Sequence, residues 1–406
     1  MNKEREWYAA NVSKVTMRLR TWAAALAGLM VAAFVHAAHI RAGEGDLQNK
    51  IDALLSSVTK HDAPGLAVVV KQHGRIVLAQ GYGVRELRNS AKIDADTNFR
   101  LASVTKQFTA MAAMLLVHDK KLNYEQRLTD IFPDFPEYGR NITVRNLLNH
   151  TSGLPDYEDL MEKDEKSHGP RWSAERQIQD AEVLALLEKA PSGKFAPGTS
   201  WAYSNSGYVV LGLIVAKVSG EPYGDFLAQR IFAPLHMTHS LVYVKNKNEI
   251  PSRAYGHSLE HGQLRETDQN STSATLGDGG VYSNVNDMVK WDEGLEKHTL
   301  LTEKEMQPAL TPVKLANGSE PHWPEQPDDD NLAPGKPVAY GFGWFLNPYE
   351  GRTRMWHSGS TMGFRTVIQR FPKDDVSLVI LCNRTDLNPQ SLAERIATLA
   401  LQPIAH

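Results

Sequence analysis

The run Leu101-Ala102-Ser103-Val104-Thr105-Lys106-Gln107-Phe108-Thr109-Ala110-Met111-Ala112-Ala113-Met114-Leu115-Leu116 decides how this chain is read. From Ser103 to about Asp119 it reads as a helix, with Phe108, Met111, Met114, Leu115 and Leu116 making it strongly apolar. A helix that is hydrophobic all round is a buried one. Ser103 and Lys106 stand at its start, and side chains at i and i+3 share a face. The lysine amine therefore lies beside the serine hydroxyl. Serine is a weak nucleophile until an adjacent base takes its proton. The helix start adds unpaired N–H groups and a positive dipole end, which favour an oxygen that becomes negative.

The same four letters recur at Ser57-Val58-Thr59-Lys60. There they end an amphipathic helix over 44–59, with Leu47, Ile51, Leu54, Leu55 and Val58 at helical spacing. Asp62-Ala63-Pro64-Gly65 then stops it. This copy lacks the helix-start position and is set aside.

Outward from the decisive helix, Leu66 to Val70 and Ile76 to Gln80 read as a hairpin around His73-Gly74-Arg75. Helices and loops dominate from the Ser103 helix to about residue 270. Strands return at Gly341 to Phe345, Arg352 to His357, Phe364 to Phe371 and Val376 to Leu381, and a last helix runs from about Gln390 to Leu401. This order predicts an α+β fold: an antiparallel sheet flanked by N- and C-terminal helices, with an inserted, mostly helical lobe. The sheet lobe takes residues 44–100 and 280–406, and the helical lobe residues 101–279. Asp156 to Arg171 and Asn317 to Pro337 read as long polar loops, either functional rims or solvated insertions.

Two further motifs carry chemistry. In Tyr203-Ser204-Asn205 a phenol can relay protons, and an amide can bind a substrate carbonyl and a lysine together. In His357-Ser358-Gly359 a side chain that donates hydrogen bonds, a hydroxyl and a glycine on one strand can line a substrate carboxylate or carbonyl.

In this order, S-x-x-K, Y-x-N and [KH]-[ST]-G resemble the three elements of the class C β-lactamase, DD-peptidase and esterase superfamily. The resemblance runs from about residue 45 to the end. It includes Pro64-Gly65-Leu66-Ala67-Val68, Leu147-Leu148-Asn149-His150-Thr151-Ser152-Gly153-Leu154-Pro155, Gly279-Gly280-Val281-Tyr282-Ser283 and Tyr340-Gly341-Phe342-Gly343-Trp344. It implies that Ser103 is the nucleophile, Lys106 its base and Tyr203 the proton relay. Asn205 would position substrate, with His357, Ser358, Gly359 and Ser360 lining the strand side of the cleft. The backbone N–H groups of Ser103 and Ser360 would form the oxyanion hole. The dedicated β-lactamases carry lysine where this chain has His357, so the resemblance points to the DD-peptidase and broad hydrolase branches. A cleft histidine titrating near pH 6.5 would bind anionic substrates more weakly as pH rises.

The resemblance implies hydrolysis of an amide, β-lactam or ester through an acyl-enzyme. The alternatives are a carboxylic-ester hydrolase and a penicillin-binding or sensor module that stays acylated. The partner is a small-molecule or peptide substrate, and the oligomeric state is left open. The 406 residues carry a net charge of −3, which gives no reason to expect nucleic acid. The single cysteine, Cys382, excludes an internal disulfide and a Cys-rich metal site. His257-Ser258-Leu259-Glu260-His261 spells a zinc-protease pattern, but Gly256 and Gly262 bracket it in a turn-rich stretch where the motif needs a helix. No P-loop, dinucleotide glycine motif or G-x-S-x-G elbow is present, so neither cofactor nor metal is expected.

Arg18 and Arg20 precede an uncharged apolar stretch, Thr21 to Val35, and Val35-His36-Ala37 offers the small residues of a cleavage site. Residues 1–37 thus read as a signal peptide, with Met17 an alternative start. Residues 38–406 read as the hydrolase domain, periplasmic or secreted and not held in the membrane. An uncleaved inner-membrane anchor is the alternative.

Overall fold

The β-branched run Val68-Val69-Val70 lies in β1 (Leu66–Gln72), every residue of which is buried. β1 turns through His73 (φ 51°) and Gly74 (φ 71°) into β2 (Arg75–Tyr82). Left-handed backbone at both central positions is what a type I′ hairpin turn requires. Late in the chain come β3 (Met355–Thr361), β4 (Phe364–Phe371) and β5 (Val376–Cys382). The five form one antiparallel sheet in the order β2-β1-β5-β4-β3, with Val68 opposite Ile380 and Gly359 opposite Thr366. The sheet is thus closed by the two ends of the sequence, and its edge strand β3 borders the helical region.

The computed structural model describes residue 7, residues 45–325, residue 333 and residues 335–402. The leader reading lies outside these residues, as does the middle of the 317–337 loop. The chain divides into two compact units, residues 1–53 with 402–406 and residues 54–401. The second holds the five-stranded sheet and the residues of the site.

The decisive helix forms as α1 (Lys106–His118), preceded by a 3₁₀ turn over Ala102–Thr105. It packs against α2 (Asn205–Ser219), and α3 (Val285–Glu296) packs on β1 and β5. α4 (Pro389–Ala400) lies on β4 and β5. No helix among the described residues is long and apolar enough to cross a membrane.

Two expectations are corrected. Gly341 to Phe345 forms a tight turn closed by the Gly341 N–H on the Trp344 carbonyl at 2.8 Å, with no strand. The glycines explain it: a Cβ at Gly341 would lie 1.8 Å from the Ala309 carbonyl oxygen, and Gly343 has φ +75°. The expected loop 156–171 contains a helix, Tyr157–His168, whose first turn is capped by the Asp156 carboxylate accepting from the Glu158 N–H at 2.8 Å. Only Tyr157 and Met161 of it are buried, so it shows no apolar stripe in the sequence.

α3 carries Asp292 beneath the sheet, where its carboxylate meets Lys71 Nζ at 3.0 Å and Arg370 Nε at 2.5 Å. All three side chains are at most 10% exposed. Lys71 Nζ also meets the Glu296 carboxylate at 2.6 Å, so removing Asp292 leaves Arg370 as the buried charge without its carboxylate, which costs about 3 kcal/mol. Asp292→Ala should therefore lower the urea midpoint by that equivalent. An unchanged midpoint would show that Arg370 finds another partner.

Candidate active site

The turn that carries Ser103 is held against the sheet. Ala102 sits at φ 49°, a left-handed backbone that non-glycine residues seldom adopt. The neighbouring Leu101 carbonyl accepts from Thr366 Oγ1 of β4 at 2.8 Å. β3 crosses this turn so closely that a Cβ on Gly359 would stand 2.4 Å from the Leu101 oxygen and 2.3 Å from Thr366 Oγ1. Glycine is required there for packing, and the far end of β3 borders Ser103, with Ser360 in the same pocket.

Lys106 is fully buried at the start of α1. Its Nζ lies 3.0 Å from Ser103 Oγ, 2.8 Å from Asn205 Oδ1 and 3.1 Å from the Asp278 carbonyl oxygen. These partners suit both protonation states. An ammonium donates to all three. A neutral amine donates two N–H groups to Asn205 and Asp278 and turns its lone pair to the Ser103 O–H. Nζ also lies 4.8 Å from the centre of the Tyr203 ring. Asn205 and Tyr203 are set by the start of α2, where Ser204 is the N-cap and its Oγ accepts from the Gly207 N–H at 3.0 Å.

Of the residues singled out in the sequence, Ser103, Lys106, Tyr203 and Asn205 come together. Ser103, Asn205 and Ser360 line one pocket, with Arg100, Tyr157 and Asp278 among its other walls. His357 does not face it. Its ring is 1% exposed, Nε2 lies 3.2 Å from Tyr340 Oη, and Nδ1 lies 2.6 Å from the Ser358 carbonyl. A carbonyl only accepts, so Nδ1 carries the proton, and Nε2 accepts from the Tyr340 hydroxyl. Burial, with the nearby Lys106 charge second, pushes the imidazole down to about 3. The expectation of a cleft histidine titrating near neutrality is therefore corrected. Strand residues alternate faces, and here the alternation turns His357 inward.

The sequence reading missed Asp278, whose main-chain carbonyl holds the lysine, and Tyr340, which pairs with His357. Gly279-Gly280 marked the first segment, but a carbonyl contact leaves no side-chain signature. The zinc-like pair is separated by the fold: His257 is buried on the strand His257–Glu260, and His261 is in the turn that follows it. Among the described residues no three His, Cys, Asp or Glu side chains gather as a metal ion would need.

An antiparallel sheet whose edge strand closes over a helix-borne Ser–Lys pair is the arrangement of serine hydrolases with β-lactamase and penicillin-binding folds. The chain belongs to the Beta-lactamase family, whose profile matches residues 43–402. It is 32% identical over 342 residues to penicillin-binding protein 4* of Bacillus subtilis, covering 80% of this chain and 69% of that protein. The octameric penicillin-binding protein homologue of Pyrococcus abyssi superposes with a TM-score of 0.69 at 25% identity, over 88% of this chain and 76% of the other. The D-amino acid amidase of Ochrobactrum anthropi does so with 0.70 at 25% identity, over 87% and 98%.

Proposed function

We propose that this protein is an exported serine hydrolase that cleaves amide bonds of amino-acid-like substrates through an acyl-enzyme. Ser103 is the nucleophile and Lys106 its base. Tyr203, beside the lysine, relays the proton to the leaving group, and Asn205 holds both the lysine and the substrate carbonyl. The N–H groups of Ser103 and Ser360 receive the developing oxyanion, where each positioned donor is worth about 3 kcal/mol. The observation that carries this reading is Lys106 Nζ at 3.0 Å from Ser103 Oγ, with two other acceptors for its N–H groups.

Ser103 Oγ attacks the carbonyl carbon while its proton passes to Lys106. The C–N bond breaks, and the amine leaves with a proton delivered by way of Tyr203. Water then attacks the ester carbonyl and gives its proton to the same basic pair, the bond from the carbonyl carbon to Ser103 Oγ breaks, and that proton returns to Oγ as the acid leaves.

The wall beside Ser103 supports an amino-acid acyl group over a fatty one, because Arg100 and Asp278 line it from opposite charges. Asp278 Oδ1 and Arg100 Nη1 are buried and make no hydrogen bond. The inward His357 offers no cation to a substrate carboxylate, which argues against efficient hydrolysis of anionic β-lactams. The D-amino acid amidase of O. anthropi supports an amino-acid amide, and penicillin-binding protein 4* of B. subtilis supports acylation of the serine. Export rests on the basic and apolar leader, and N-terminal sequencing of the secreted or periplasmic form would test it.

The test is a panel of D- and L-amino-acid anilides, p-nitrophenyl butyrate and nitrocefin, followed from the first turnover. Steady turnover of an amino-acid anilide, with kcat/KM above that for the butyrate, is the expected result. A higher value for the butyrate would favour an esterase. A burst of one equivalent that then stops would make the protein an acylated sensor.

A further inference from the structure

His150 performs no step in the reading above, yet it occupies the centre of the site's support. It is fully buried at φ 64°, a backbone conformation that histidine rarely takes. Its carbonyl accepts from the Ala202 N–H at 3.1 Å, and its Nδ1 accepts from the Ser204 N–H at 3.1 Å. One residue thus grips the chain on both sides of Tyr203. The Ser204 N–H also fixes the tautomer: Nδ1 is the acceptor, so the proton resides on Nε2. The ring lies 4.5 Å from that of Tyr203 and 4.6 Å from that of Tyr340, the partner of His357.

We propose that His150 is a positioning residue that sets Tyr203 and Asn205 on the two sides of Lys106 by holding the Ser204 N–H. The proposal rests on the assignment of Ser103, Lys106 and Tyr203 to acyl transfer. Its basis is the chain of contacts from His150 Nδ1 to Ser204 N, from Ser204 Oγ to the start of α2, and from Asn205 Oδ1 to Lys106 Nζ. Without the acceptor, the Ser204 N–H is a buried donor lacking a partner, and the 203–205 segment moves to satisfy it. A shift near 1 Å at a reacting group costs on the order of a hundredfold in rate. Asn205 is one wall of the pocket among several, so KM changes less than kcat.

Two variants isolate the hydrogen bond. Glycine and asparagine both accept the left-handed backbone, and both delete the ring. Only asparagine keeps an acceptor near the place of Nδ1. His150→Gly is expected to lower kcat roughly 30- to 100-fold with KM within threefold of wild type. His150→Asn is expected to recover at least about tenfold of that loss. Both should label with a fluorophosphonate probe at Ser103, the glycine variant more slowly. If both variants lose kcat equally, or if the loss follows their melting temperatures and not the acceptor, the proposal is overturned alone. If the wild type is not labelled at Ser103, the site assignment falls and this inference with it.

Discussion

Ser103→Ala is expected to reduce turnover by at least about a thousandfold and to abolish covalent labelling, while Ser57→Ala retains wild-type rates. The two serines open the same four letters, so the contrast isolates position from sequence. Ser57 comes at the end of a helix over 45–56, is exposed, and gives its hydroxyl to the Leu54 carbonyl at 2.7 Å. Thr59 does the same to Leu55 at 2.8 Å. Lys60 is exposed to solvent. Ser103, by contrast, precedes a helix and stands 3.0 Å from a buried amine that two other acceptors orient. Removing Oγ removes the atom that forms the acyl bond, and neither pocket nor oxyanion donors replace it. Mass spectrometry after probe treatment reads the labelled peptide directly. Labelling at full rate in Ser103→Ala, or its loss in Ser57→Ala, would overturn the assignment.

Much of this site was legible because it rests on short-range rules. The i to i+3 spacing at a helix start puts Lys106 beside Ser103, and the hairpin and late strands predict an antiparallel sheet. Asn205 was legible through its triplet and the apolar helix after it. What escaped depends on contacts between distant segments. Which face of β3 His357 would take is set by the cross-strand register with β4 and by Tyr340, seventeen residues upstream, and neither is written near the motif. Asp278 contributes a carbonyl, which every residue has. The helix Tyr157–His168 buries only two side chains, so its polar sequence read as a loop although Asp156 caps it. Gly341 and Gly343 lie in a strand-like pattern, but the close approach of Ala309 and of the start of α1 imposes a turn there.

The inward turn of His357 gives the protein an acid sensitivity that a cleft histidine would not. Histidine in an unfolded chain binds its proton near pH 6.5. In the fold, burial first and the Lys106 charge second push His357 down to about 3. Burial, again with Lys106, holds His150 well below its ordinary value. Between the two values the unfolded state carries protons that the folded state does not. Stability therefore rises with pH through this window, is complete above about pH 6.5 and is lost as the solution is acidified. Each pH unit inside the window is worth about 1.4 kcal/mol per histidine, so His357 alone costs about 2 kcal/mol at pH 5 and several kcal/mol by pH 3. A proton on His357 Nε2 would also break the bond it accepts from Tyr340, beside the Tyr203 ring. Urea unfolding of wild type and His357→Gln at pH 7.5, 6 and 5 measures the effect before most carboxylates titrate. The glutamine variant should start less stable at pH 7.5 and lose about 2 kcal/mol less on the way to pH 5. Parallel losses in the two proteins would mean that His357 takes up its proton without unfolding. The same geometry predicts that kcat/KM for an anionic and a neutral substrate keeps a constant ratio from pH 5.5 to 8, because no imidazolium forms on the cleft strand. A ratio that falls as pH rises through the histidine range would return His357 to the cleft.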